Sequence, residues 1–318
     1  AKFEILGEGA LDLLQRLCVS NMDKPLGAVI YTQMCNDTGG TEADVTFIRL
    51  GAGRFYMVTG AGFGVHDSDW IRRNMPDDGS AHLIEVTSGK AVLNIVGPMS
   101  RDVLGAVSES DVSDAAIGFA TAREIIVGAA PVLAARIGYV GERGYELHIP
   151  TEYAAHVYDL LWEAGQSLGI ANVGYRAIES LRMEKGYIYW SGDVTPDYTP
   201  VEAGVGFRVH LNSKGDFKGR AVLEAQKNGN LKRKLCTFVT NANLPLTGGE
   251  TILIGDRVVS LATSVGYGHT VEKTILRGYL DRIHWDERDF MLEVFGERYP
   301  ITCVEGPVYD PENAALKG

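Results

Sequence analysis

The sequence predicts an α+β fold, with two interwoven lobes of strands and helices over residues 1–226 and an antiparallel β domain over residues 227–318. Three observations predict it. Strand-type alternation and helix-type spacing succeed one another through the first two thirds of the chain. A polar stretch, residues 226–234, carries Lys227, Lys232, Arg233 and Lys234 among Asn and Gly, as segments between domains do. Beyond it nearly everything reads as short strands at regular spacing, which suits a small barrel or sandwich.

Residues 3–6 alternate as a strand, and Gly7-Glu8-Gly9 turns the chain. Residues 10–19 set Leu11, Leu14 and Leu17 three apart, the stripe of a helix. Residues 28–35 and 44–50 are strands joined by Asn36-Asp37-Thr38-Gly39-Gly40, whose paired glycines suit a hairpin. A strand over 55–59 and a helix over 66–74 follow. Residues 91–96 form a strand ending at Gly97-Pro98, and 100–107 a helix. Residues 131–139 and 146–149 form a strand pair about Gly141-Glu142-Arg143-Gly144, a charged tip expected to be solvated. Residues 153–168 make an amphipathic helix with Val157, Leu160, Leu161 and Ala164 on one face. A second helix, 175–185, stops at Gly186, a C-cap residue. The last third reads as strands over 235–240, 251–254, 257–264, 273–280, 290–294 and 299–304. Because the first six residues already read as a strand, the chain is expected to start within a longer fold.

Thirty Lys and Arg against 41 Asp and Glu give a net charge of −11, which argues against a nucleic-acid partner. It leaves room for an anionic small molecule, since a few Arg in a cleft outweigh the mean charge locally. Apolar runs fall short of the roughly 20 residues that span a bilayer. The cysteines, Cys18, Cys35, Cys236 and Cys303, form no CxxC pair and the histidines are scattered, so no metal site is expected. A reducing compartment fits this usage: the cytoplasm, or the mitochondrial matrix in a eukaryote. Gly60-Ala61-Gly62-Phe63-Gly64 lacks the spacing of a dinucleotide loop.

Three clusters carry candidate chemistry. Asp44 opens an apolar strand, where Asp is disfavoured. It is either a turn-capping carboxylate or one held at a cavity to steer a proton or stabilise a cation. Glu146 alternates with Leu147 on a strand, as either a buried ion-pair member or a bidentate acceptor for an amidine-like N–C–N edge such as a pterin's. Arg176 starts a helix against its dipole, so a carboxylate partner explains it better than helix stability. Arg182 and Glu184 could equally be a surface pair of little energetic value, and Tyr187, Tyr189 and Trp190 read as core sooner than as a ligand platform.

The chain resembles the aminomethyltransferase (glycine-cleavage T-protein) family, most nearly the tetrahydrofolate-binding C-terminal portion of dimethylglycine dehydrogenase, sarcosine dehydrogenase and dimethylglycine oxidase. The segments that carry the likeness are Tyr31-Thr32-Gln33-Met34 with Gly39-Gly40 and Asp44-Val45-Thr46, and Gly138-Tyr139-Val140-Gly141-Glu142 through Glu146-Leu147. Tyr175-Arg176-Ala177, Leu181 to Gly186, Glu202-Ala203-Gly204, Asp216 to Arg220, Gly266-Tyr267-Gly268 and Val308-Tyr309-Asp310-Pro311 continue it to the end of the chain.

The resemblance implies a cloverleaf of folate-binding α/β lobes followed by a C-terminal antiparallel β-barrel. It implies that Asp44 is the catalytic acid–base group, that Glu146 holds the pterin, and that Arg176 belongs to the folate site. Tyr31, Thr46, Tyr139, Leu147, His148 and Phe207 fall in segments expected to line the folate. The implied reaction captures the methylene or iminium product of N-methyl amine oxidation as 5,10-methylenetetrahydrofolate. FAD would lie on a missing or separate amine dehydrogenase part, which is the implied partner together with a one-carbon donor. The alternatives are glycine-cleavage aminomethyl transfer, a folate-dependent demethylase, or a non-catalytic folate-binding assembly protein. The last carries a Lys-Gly-Cys-Tyr-type motif, and Lys218-Gly219-Arg220-Ala221 has no Cys.

Overall fold

A computed structural model describes residues 1–317 and shows three β-sheets with helices packed between and outside them. The first sheet is built from β1 (Lys2–Leu6), β2 (Val29–Cys35), β3 (Thr41–Gly51), β4 (Arg54–Val58) and β5 (His82–Glu85), in the order β2-β3-β4-β1-β5. Helices α1 (Ala10–Leu17) and α2 (Gly64–Arg73) belong to this lobe, whose core gathers Phe3, Ile5, Leu14, Phe47, Phe55 and Met57. Each such buried side chain contributes on the order of 1.5–3 kcal/mol.

The second sheet runs β6-β9-β8-β7, from β6 (Lys90–Val96), β7 (Ala122–Val127), β8 (Ala130–Ala135) and β9 (Gly144–Pro150). It packs with α3 (Ser100–Ala106) and α4 (Ala154–Gly165) around Ile95, Leu104, Tyr145, Leu147, Ile149 and Leu161. Two more helices, α5 (Tyr175–Glu184) and α6 (Arg220–Ala225), lead to the last unit. There β10 (Arg233–Thr240), β11 (Thr251–Ile254), β12 (Arg257–Gly268), β13 (Lys273–Asp281), β14 (Phe290–Val294) and β15 (Glu297–Val304) close into an antiparallel barrel. The mixed lobes and closed barrel are the architecture expected from the sequence. Among the described residues no helix is long and apolar enough to cross a membrane.

Several local expectations differ. Strands β5 and β7 were not foreseen; β5 is a mostly exposed edge strand, and β7 is an edge strand whose Arg123 and Glu124 mask its alternation. Strand β3 begins at Thr41, so Asp44 lies inside it, opposite Gln33, and does not cap the turn. Asn36 does that: its Oδ1 accepts the Gly40 and Thr38 amides at 2.9 and 3.1 Å. Gly39 there has φ +82°, and a Cβ on Gly40 would lie 1.9 Å from the Pro196 carbonyl oxygen, so the hairpin sits hard against that loop.

Arg182 and Glu184 are buried rather than a surface pair, because α5 is covered by the barrel. Arg182 bonds Asp193 at 3.0 Å and Glu179 at 2.7 Å, and Glu184 accepts the Thr270 amide at 2.7 Å. Arg143 is also buried, within 3.7 Å of Asp114, and Glu142 accepts the Tyr309 hydroxyl at 2.7 Å, so the tip between β8 and β9 is not free in solvent. Gly186, with φ +69°, ends α5 as its sequence position predicts.

Candidate functional site

A cavity of about 1500 Å³ opens between the two lobes and the barrel. Strand β3 presents Asp44 and Thr46 to it, β9 presents Glu146, and Tyr31, Tyr139 and Phe207 complete the set of expected residues along its wall. Period-two alternation underlies the choice on each strand: Val45 and Leu147 belong to their lobes' cores, while Asp44, Thr46 and Glu146 face the cavity.

Asp44 accepts a 2.7 Å hydrogen bond from Gln33 Nε2, across the β2–β3 pair. Burial pushes its carboxyl up to about 6; hydrogen bonding from Gln33 and Tyr31 holds back part of that rise, and the nearby Asp67 charge adds to it. The Tyr31 hydroxyl is pushed well above its ordinary value by burial and by Asp44, so it stays a proton donor. Tyr139 donates its hydroxyl to the Ile188 carbonyl and stacks on Tyr187, with centroids 5.8 Å apart and planes 18° apart.

Glu146 has different surroundings. Its side chain is 25% exposed, it makes no side-chain hydrogen bond among the described residues, and burial alone raises its carboxyl to about 7. His148 Nε2 is 3.7 Å away, but burial holds that imidazole down to about 4, so it is neutral at pH 7 and gives no counter-charge. The alternative of a buried ion pair is therefore not what the structure contains. A half-buried carboxylate of this kind calls for donors from a ligand.

Three expected residues lie elsewhere. Leu147 is fully buried in the second lobe's core. His148 is buried at the seam between lobes, its Nδ1 3.2 Å from the Tyr56 hydroxyl of β4. Arg176 is exposed and forms no ion pair among the described residues. Tyr175 and Ile178 of the same turn reach the cavity, and about 100° of helical rotation takes Arg176 off that face.

Other wall residues escaped the sequence reading. Tyr187, Tyr189 and Trp190 line the cavity instead of filling a core. Gln33 could have been found by counting register back from the Gly39-Gly40 turn. Arg208 and Arg277 could not, since nothing in their local pattern marks them as cavity residues.

The donor set fits a reduced folate. Glu146 offers an unpaired bidentate acceptor for an amino-pyrimidine edge, and the tyrosines and Trp190 offer flat walls for rings.

Family comparison agrees with this fold. Residues 1–213 match the GCVT N-terminal domain, and residues 233–310 match the glycine cleavage T-protein C-terminal barrel domain. The chain belongs to the glycine-cleavage T-protein (aminomethyltransferase) family. It is 33% identical over 341 residues to the mitochondrial sarcosine dehydrogenase of Mus musculus, covering 100% of this chain and 37% of that protein. It is 30% identical over 309 residues to the aminomethyltransferase of Bacillus cereus, covering 96% of this chain and 83% of that one. The crystal structure of the glycine cleavage system aminomethyltransferase T from Bartonella henselae superimposes with a TM-score of 0.86 at 21% identity, covering 98% of this chain and 84% of that chain, which speaks to the fold. The chain thus spans well under half the length of the sarcosine dehydrogenase it matches.

Proposed function

We propose that this chain is a tetrahydrofolate-dependent one-carbon transferase module that captures the methylene or iminium product of N-methyl amine oxidation as 5,10-methylenetetrahydrofolate. The observation that carries this reading is Glu146, a carboxylate with no hydrogen-bond donor among the described residues, in an aromatic-walled cavity that Asp44 shares. In this reading Glu146 accepts two hydrogen bonds from the pterin edge, while Thr46, Tyr139 and Phe207 border the ring system. Tetrahydrofolate, when bound, supplies the nitrogen that takes up the one-carbon unit.

Asp44, with its carboxyl at about 6, is mostly ionised at pH 7. It holds a negative charge against a cationic donor and accepts the proton released as the new bond forms. Gln33 and Tyr31 keep that carboxylate oriented. The chain's lobes, residues 1–226, would hold the folate and residues 227–318 would close the cavity. The oxidation step would belong to an amine dehydrogenase part, as the name of the sarcosine dehydrogenase relative supports, with FAD bound there; that relative's name also supports a mitochondrial location in a eukaryote. Aminomethyl transfer of the glycine-cleavage type is the second reading, favoured by the likeness over most of the Bacillus cereus aminomethyltransferase.

Calorimetric titration with tetrahydrofolate tests the proposal. Glu146→Ala is expected to lose affinity, whereas Asp44→Ala keeps affinity and loses transfer in the reconstituted enzyme. Unchanged binding and unchanged transfer in both variants would sink the assignment.

A further inference from the structure

The cation expected to meet an anionic ligand, Arg176, is outside the cavity, and Arg208 stands in its wall instead. Arg208 ends a short helical turn, Gly206–Arg208, whose backbone is fixed from both sides. Ser20 Oγ donates to the Arg208 carbonyl at 3.0 Å, and the next residue, Val209, is buried against Val19 and Cys35. The guanidinium carbon lies 5.4 Å from the Tyr31 ring centroid and 5.0 Å from that of Phe207, so two aromatic rings flank the group. Its Nε is buried without an acceptor, and no carboxylate among the described residues comes within ion-pair distance.

Arg182 shows the contrast. It is buried more deeply than Arg208, and there it is paired with Asp193 and Glu179 and bonded to Ser264 Oγ at 3.0 Å. A guanidinium withdrawn from water is costly unless an acceptor meets it. Stacking on rings satisfies its faces and leaves its in-plane donors free, and those donors match a planar carboxylate in a fork. Tyr31 also touches Asp44, which puts the cation beside the acid on one wall.

We propose that Arg208, clasped between Tyr31 and Phe207, is the carboxylate anchor of the cavity. The carboxylate has two possible sources: the glutamyl tail of the folate, which rests on the folate half of the function proposed above, or the acid group of an amino-acid donor, which rests on its donor half alone.

The test titrates the native chain, Arg208→Met and Arg208→Lys with tetrahydrofolate and with a tetrahydropterin lacking the aminobenzoyl-glutamate. A second arm follows sarcosine and methylamine binding by saturation-transfer NMR, with and without tetrahydrofolate. Melting curves accompany each variant, and Arg208→Gln replaces Arg208→Met if the latter does not fold. If Arg208 reads the tail, Arg208→Met weakens tetrahydrofolate about ten- to hundredfold, Arg208→Lys less, and the tail-less pterin is unaffected. If it reads the donor, tetrahydrofolate affinity is unchanged and sarcosine binding falls while methylamine stays as it was. Equal affinities for every probe in folded variants overturn the proposal. A native chain that ignores tetrahydrofolate overturns the folate reading alone if sarcosine still binds through Arg208, and both readings if it does not.

Discussion

Two carboxylates share one cavity and are treated differently by the protein around them. Asp44 is held by Gln33 across a β-ladder and touched by Tyr31, whereas Glu146 receives no hydrogen bond from the described residues. Burial raises both, to about 6 and about 7. The difference teaches where each finds its partner. Asp44 is fixed by the protein before any ligand arrives, as a group that must move a proton in a set direction should be. Glu146 keeps its lone pairs for the ligand.

The largest effect expected from this contrast is on rate. Asp44→Asn should lower one-carbon transfer by about 10²–10⁴-fold with tetrahydrofolate affinity nearly unchanged, measured by single-turnover kinetics beside calorimetry. A matching loss of affinity would erase the contrast. Next comes affinity: Glu146→Ala should weaken tetrahydrofolate by roughly a hundredfold, as expected for charge-assisted hydrogen bonds. Third, because Glu146 must be ionised to accept both bonds, affinity should fall by up to about tenfold per pH unit below about 7 in the native chain and stay flat in Glu146→Gln.

The smallest effect is on stability, and its sign follows from linkage. The folded-state carboxyl at about 7 lies above the ordinary glutamate value of about 4.5, so the unfolded chain loses that proton first. The ligand-free protein should therefore lose stability as pH rises from about 4.5 to about 7. Glu146→Gln removes this loss and should raise Tm by a few degrees at pH 8, with little gain at pH 4. A lower Tm at pH 8 would mean that Glu146 has a structural partner after all.

What the sequence disclosed follows the range of the interactions involved. Strands β11 and β14 occupy the expected residues because local alternation and flanking turns define them. Asp44 and Glu146 were legible as misfit carboxylates on apolar strands. The burial of Arg182 and Glu184 was not, since the cover is the barrel, far along the chain. For the same reason His148 looked like a wall residue, although Tyr56 of another sheet claims its ring. The Arg208 clasp depends on Tyr31 being brought to it from the first lobe, and periodicity carries no trace of that meeting.

Asp44 and Glu146 stand on strands of two different sheets. Their separation is therefore not written into either ladder but into the seam that joins the lobes. Part of that seam is backbone: Val29 N donates to Ala120 O at 2.9 Å, and Ala122 N to Gly27 O at 2.7 Å. The Tyr56–His148 pair adds to it, with its rings nearly perpendicular and their centroids 5.2 Å apart, and so does an apolar cluster of Val29, Ile48, Ala122 and Ala135. The seam works as a gauge block, setting the working distance between two tools that never touch. Filing it down by one methylene would misalign both while leaving each of them intact.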